Sequence, residues 1–460
     1  MTPVRVALLA FVALFMLHGS AHASDRYDPR FRFRTLSTPG FDIHFHQSEE
    51  PLARRLASVA ETVAQELAPR LGRPRQRVHV ILVDQNDLSN GWATPFPYDV
   101  IEITAAAPRG SSGIGNTGDW LRLVFVHEYT HILHLDRSKG LFGALGRVFG
   151  RHPLLLPNVF VPPWQIEGLA TYYESASTGQ GRVPAGDFRL MLDRAAAAGR
   201  FASLDRASSG RVDWPSGNTS YLYGAYFHRY LSDTYGEASL IRLADETARR
   251  IPYLGSAAYK KVFAKSLGEL WGAFEAEARQ RTLRHVESSA TRLTHHGFVV
   301  SAPAYSGDGR LFYSASNPHR FPALMALRAD GSTTVVTTRV AGGRMTATAS
   351  EIIFDQVEYV RSVAVQSDLF AVAPDGGRVR RLTRGARAGD PDLSPDGRTV
   401  LCTIQAADRR SIATLSADAV DAAPSVLVSE PDVSYASPRW SPDGQSIVAE
   451  RRTLNGPSEI

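Results

Sequence analysis

The run Val124–Leu135, VFVHEYTHILHL, is apolar except where His127, Glu128, His131 and His134 interrupt it. Burying ionisable groups in such a stretch is costly unless hydrogen bonds or a cation offset them. On a helix, residues four apart lie about 40° apart on one face, so the imidazoles of His127 and His131 can reach a single ion while Glu128 projects beside them. That arrangement suits metal-assisted hydrolysis, with the neighbouring carboxylate taking a proton from water. Core histidines bonded to backbone carbonyls are the competing reading. Zinc needs a third protein ligand and one open position. The stretch PPWQIEGLATYYES, Pro162 to Ser175, offers Glu167, 36 positions after His131 and near the start of a second helix. An acid at that place also favours the helix dipole. The small Gly168 and Ala170 are expected to let this helix approach the first closely. His134 is turned partly away from the ligand face and reads as packed or bonded. Asp136 either orients a ligand imidazole or is a surface acid at the helix end.

These side chains need elements to hold them. From Ser24 to about Arg284 the pattern mixes strand and helix. FDIHFH (Phe41–His46), RVHVILVD (Arg77–Asp84) and DVIEITAA (Asp99–Ala106) read as strands. Glu49–Leu71 has helical spacing of Leu52, Leu56, Val59, Val63 and Leu67. Helical patterns then dominate at 163–177, 187–198, 220–235, 257–262 and 267–282. Strands followed by helices predict an α+β fold rather than a parallel sheet. GLFGALGRVFGRHPLLLPNVFV (Gly140–Val161) is apolar and punctuated by glycine. Its readings are domain packing, a cover for the site, or a membrane contact.

Beyond about Ser288 the rhythm changes to a repeat. SGDGRLFYSA begins at Ser306, SEIIFDQV at Ser350, SPDGRTVLCT at Ser394 and SPDGQSIVAE at Ser441, a spacing of 44 to 47 residues. A tight Asp-Gly turn feeding a β-rich run at that interval predicts propeller blades over 288–460, about three and part of a fourth. A β-sandwich is the competing architecture. The turns resemble those of Tol-like propellers.

Residues 40–282 resemble the peptidase-MA (gluzincin) clan, in particular the bacterial peptidase-MA-like domains found beside Tol-like propellers, and more distantly the aminopeptidase N family. HEYTH (His127–His131), WQIEGLA (Trp164–Ala170) and YLYG (Tyr221–Gly224) carry the resemblance. It implies an α+β zincin-like metallopeptidase domain over 24–284, followed by an all-β propeller that is incomplete in this chain. It further implies one Zn2+ on His127, His131 and Glu167, Glu128 as general base, and the Tyr221 hydroxyl as oxyanion stabiliser, with Tyr223 as the fallback. DVIEIT corresponds to the edge strand that pairs with substrate in zincins. The aminopeptidase Gly-x-Met-Glu-Asn sequence is absent; Asp99 or Glu102 are the substitutes for capture of a free amine. The expectation is therefore an endopeptidase acting on peptide or protein substrates. The rival expectation is a non-catalytic envelope scaffold with a degenerate zincin domain.

The remaining features bound the answer. At 460 residues the chain exceeds what one core normally supports. The formal charge of +5 is spread without a basic stripe, which excludes nucleic-acid binding. Arg5, the apolar Val6–Leu17 and AHA (Ala21–Ala23) compose a signal peptide over 1–23. The expected location is the periplasm or cell envelope, with the propeller meeting an envelope partner and no membrane association indicated. The single cysteine, Cys402, excludes an internal disulfide and reads as a buried strand residue.

Overall fold

A computed structural model describes residues 26–109, 113–115, 117–208, 214–282, 289–454, 456 and 458–460. The leader expected over 1–23 and the domain boundary expected at 284–288 lie outside the described residues, the latter with part of its flanks.

The first half is built on a five-stranded sheet of β1 (Arg34–Ser37), β2 (Phe41–Phe45), β3 (Val78–Val83), β4 (Gly91–Thr94) and β5 (Val100–Thr104), ordered β1-β2-β3-β5-β4. Helix α1 (Glu50–Leu71) buries Leu52, Leu56, Ala60, Val63 and Leu67 along one face. It carries the chain back over the sheet, which makes β2 parallel to β3, and β5 joins β3 in parallel. The expectation of a non-parallel sheet is corrected: only the edges β1 and β4 run antiparallel. Helix α2 (Trp120–Leu135) begins where the Asp119 carboxylate accepts the Arg122 N–H at 3.1 Å, a side-chain cap. Every residue of α2 except Arg122 is buried. Its Phe125 and Tyr129 rings meet the edge of Phe41 on the sheet, at 5.4 and 5.6 Å between centroids.

Helices α3 (Gly140–Phe149), α4 (Pro163–Thr178), α5 (Gly186–Ala197), α6 (Leu204–Ala207), α7 (Thr219–Tyr235), α8 (Ala238–Thr247), α9 (Ala257–Phe263) and α10 (Leu267–Thr282) follow. The α4–α7 crossing rests on two glycines. A Cβ on Gly224 would collide with the Trp164 carbonyl oxygen and stand 2.7 Å from the Gly168 Cα. Gly168 therefore serves contact with α7, not the close approach to α2 that the sequence suggested.

The second half comprises four antiparallel sheets in succession. The first three have four strands each, β6–β9 (from Val299 to Thr338), β10–β13 (Met345 to Arg381) and β14–β17 (Ala388 to Val428); the last has β18 (Val433–Trp440), β19 (Ile447–Thr453) and β20 (Ser458–Glu459). The SPDG turns are held by side chains: Ser394 Oγ donates to Asp396 and Ser441 Oγ to Asp443, each at 2.5 Å, while Gly397 and Gly444 take φ of 74° and 69°. Preceding each such turn, the first strand of the sheet bulges at an X-Pro step, with Asp390 and Ser437 at φ of 53° and 51°. Cys402 is buried, and burial pushes its thiol up to about 12, which removes it from chemistry.

The two halves are joined by buried charge. The loop between β3 and β4 sends Asp84 and Asp87 to Arg387, at 2.8 and 2.6 Å. The Asp87 N–H also donates to the Val365 carbonyl of β12 (Ala364–Val372) at 2.8 Å. The same carboxylate accepts the Ser367 N–H at 2.9 Å. That loop leads directly into β4.

Candidate metal centre

Two turns of α2 and one of α4 converge. His127 and His131, one helical turn apart, bring their Nε2 atoms to 3.2 Å of each other. Glu167 Oε2 lies 3.5 Å from the first and 3.4 Å from the second. Four ligands at zinc bonding distance around a tetrahedral ion stand about 3.3–3.4 Å apart, so the three atoms already form one face of such a tetrahedron. Both imidazoles are buried, and Glu167 Oε2 is buried with no hydrogen-bond partner. Oxygen and nitrogen lone pairs facing one point without donors are what a cation requires. The donor set, two imidazoles and one carboxylate, fits zinc.

The electrostatics point the same way. Burial opposes charge on His127, but the Glu167 and Glu174 carboxylates override it and hold the imidazole up at about 9. Burial also opposes charge on Glu167, and the two imidazoles hold it well below the ordinary carboxylate range. The centre is thus organised around positive charge, which a divalent ion would supply.

Glu174 was not singled out from the sequence. Its Oε2 accepts from His127 Nδ1 at 2.9 Å, which turns the Nε2 lone pair towards the centre. Arg182 donates to the same oxygen at 2.6 Å, and its guanidinium lies 4.9 Å over the Tyr221 ring. A signal existed: Glu174 is seven positions after Glu167, two helical turns along the same face. Arg182 lies in a loop and had none.

Glu128 is buried next to the ligands and leans on β4, where a Cβ at Gly91 would touch its Oε1 and stand 2.6 Å from Val124 Cγ2. Only glycine leaves that carboxylate its room. Burial raises the Glu128 pKa, against the pull of His127 and His131. Tyr221, one turn before the Gly224 crossing, places its ring 6.2 Å from that of His127. Its hydroxyl is pushed up to about 12 by burial and then by the Glu167 carboxylate, so it stays protonated at neutral pH.

Other candidates are placed elsewhere. Tyr223, the fallback oxyanion donor, packs with Phe201 and Trp271, and its hydroxyl accepts the Ala202 N–H at 3.1 Å. Asp136 is neither a surface acid nor a partner of a ligand ring; it is buried and paired with Arg151 at 2.8 Å. His134 is buried and kept neutral by its surroundings, burial first, and is not in the ligand cluster. Asp99 is buried against Arg151 at 2.9 Å, and Glu102 accepts from Tyr27 at 2.5 Å and pairs with Arg26 at 2.7 Å, so both are engaged. The edge strand beside α2 is β4, not DVIEIT: β5 is paired on both sides.

No family model matches the chain. It is 27% identical over 278 residues to an uncharacterized protein of Treponema pallidum (strain Nichols), a match that takes in 58% of this chain. The chain spans about a quarter of that relative, 24% of its length. Among solved structures it is similar to a putative TolB from Agrobacterium tumefaciens, with a TM-score of 0.31 and 19% identity over 35% of this chain and 58% of that one. TolB from Acinetobacter baumannii gives a TM-score of 0.28 and 17% identity over 35% and 39%. A puromycin-hydrolyzing peptidase of Mycobacterium tuberculosis gives 0.26 and 25% over 33% and 27%.

Proposed function

We propose that the chain is an exported zinc-dependent peptide hydrolase of the gluzincin type, working in the bacterial envelope. Its four β-sheets act as Tol-like propeller blades that receive or orient protein substrates or an envelope partner. The observation that carries this reading is the triangle of His127 Nε2, His131 Nε2 and Glu167 Oε2, 3.2 to 3.5 Å on a side, with the buried Glu128 carboxylate beside it.

His127, His131 and Glu167 would hold the ion, which when bound would supply Lewis acidity for polarising water and the substrate carbonyl. Glu174 fixes the His127 ring through its Nδ1 proton. Glu128 accepts the proton of the attacking water and returns it to the leaving amine; its raised pKa suits both transfers. Tyr221, protonated at neutral pH, donates a hydrogen bond where negative charge develops on the carbonyl oxygen. The outer edge of β4 offers unpaired backbone groups for an extended peptide. With Asp99 and Glu102 both ion-paired, no free acid is provided at those positions for a substrate amine, and an endopeptidase is the activity we infer.

Peptide turnover by the purified chain, with and without chelator, tests this. Chelation should stop hydrolysis and zinc restore it. Glu128→Gln should lower turnover by about 10²–10⁴-fold with zinc retained. Turnover untouched by chelator or by Glu128→Gln overturns the proposal.

A further inference from the structure

Helix α3 presents an unusual surface. None of its ten residues is buried, although six of them are apolar and three are glycine, and Val148 and Phe149 remain 75% and 73% exposed. Leu141 and Leu154 continue the exposed apolar face. Domain packing, one reading of the run Gly140–Val161, holds for its end, where Leu156, Pro157, Asn158 and Val161 are buried, and not for α3. From Arg137 to Ile166 the chain carries Arg137, Lys139, Arg147 and Arg151 and no acidic residue at all.

A second segment joins the same face. The Lys139 N–H donates to the Ala248 carbonyl at 3.1 Å, and Gly140 abuts the Arg249 side chain. Beyond Arg249 and Arg250 the loop exposes Ile251 and Tyr253, the latter 78% exposed with its ring 5.1 Å from that of Phe160. Exposed apolar patches of this kind mark an interaction surface. This one is apolar along α3 and carries Arg147 and Arg249 beside it, the chemistry of a helix that lies in a lipid headgroup layer. No helix among the described residues is long and apolar enough to cross a membrane, so contact would be at the surface.

We propose that α3 and the Arg249–Tyr253 loop seat the chain on an anionic lipid surface, with Leu141, Val148 and Phe149 entering the acyl boundary and Arg147 and Arg249 meeting headgroups. This is independent of the metal centre. Charge complementarity selects the lipid: the patch combines insertion and cation attraction, each of which strengthens the other.

The test uses the full chain with a polarity-sensitive fluorophore on Phe149→Cys; the native Cys402 is fully buried and does not compete for label. A second sample carries the label at Tyr359→Cys, an exposed position in β11 (Ile352–Val360) of the β-sheet half. The result expected is a blue shift at 149 on phosphatidylglycerol-containing vesicles, weak on phosphatidylcholine alone and absent at 359. Arg147→Glu with Arg249→Glu should weaken that partition by about tenfold or more. No shift at 149 on anionic vesicles, an equal shift at 359, or indifference to the charge reversal overturns the proposal. A shift that grows with protein concentration in the absence of lipid also overturns it, in favour of a second copy on this face.

Discussion

At the scale of single residues, helical geometry explains what could be read in advance. His127, Glu128 and His131 are placed by the 3.6-residue period alone, and Glu167 follows from a second helix that begins at a proline pair. Glu174 had a signal in its seven-residue step from Glu167, whereas Arg182 lies in a loop and its place depends on which elements meet. Asp136 failed for the same reason: a carboxylate near a helix end is surface or buried according to what folds over it, and here Arg151 does. The Glu174 carboxylate holds the His127 ring through Nδ1 and lies outside the His127–His131–Glu167 cluster. Glu174→Gln should therefore weaken zinc binding by about 10–100-fold, measured by competition with a chromogenic chelator, and turnover should recover at saturating zinc. Unchanged affinity would assign Glu174 to folding alone.

At the scale of elements, the long periodic helices and alternating strands were legible, with bounds within a residue or so for α1, α4 and α10. The short ones were not. β4 has four residues without alternation, and sheet order departs from chain order, so β5 was mistaken for the edge. The Gly168–Gly224 crossing was likewise hidden, since the sequence shows small residues but not which neighbour needs them. This crossing carries Tyr221 to Glu167. Gly224→Ala forces a methyl into the Trp164 carbonyl and should cost about 1–3 kcal/mol or more, seen as a lower Tm. Because α4 and α7 would separate, activity should fall further than the loss of folded protein explains.

At the scale of the molecule, the repeat in the second half was visible in its SPDG turns, whereas the contact between halves was not. Asp84 and Asp87 are far in sequence from Arg387, and nothing local pairs them with it. Their contact anchors the loop that leads into β4, the strand against which Glu128 rests, so the β-sheets and the candidate site are mechanically continuous. Removing one partner of a buried ion pair typically costs about 3–5 kcal/mol. Arg387→Ala should shift chemical denaturation by a cost of that order and render the 84–90 loop open to proteolysis. A variant as stable and as protease-resistant as the parent would show that the halves are held by other contacts.

The zinc content of the purified chain bears on the centre most directly. Elemental analysis should find one zinc per chain, lost in Glu167→Ala and kept in Glu128→Gln. A chain that takes up no zinc, or that binds it equally well after Glu167→Ala, contradicts a metal held by His127, His131 and Glu167.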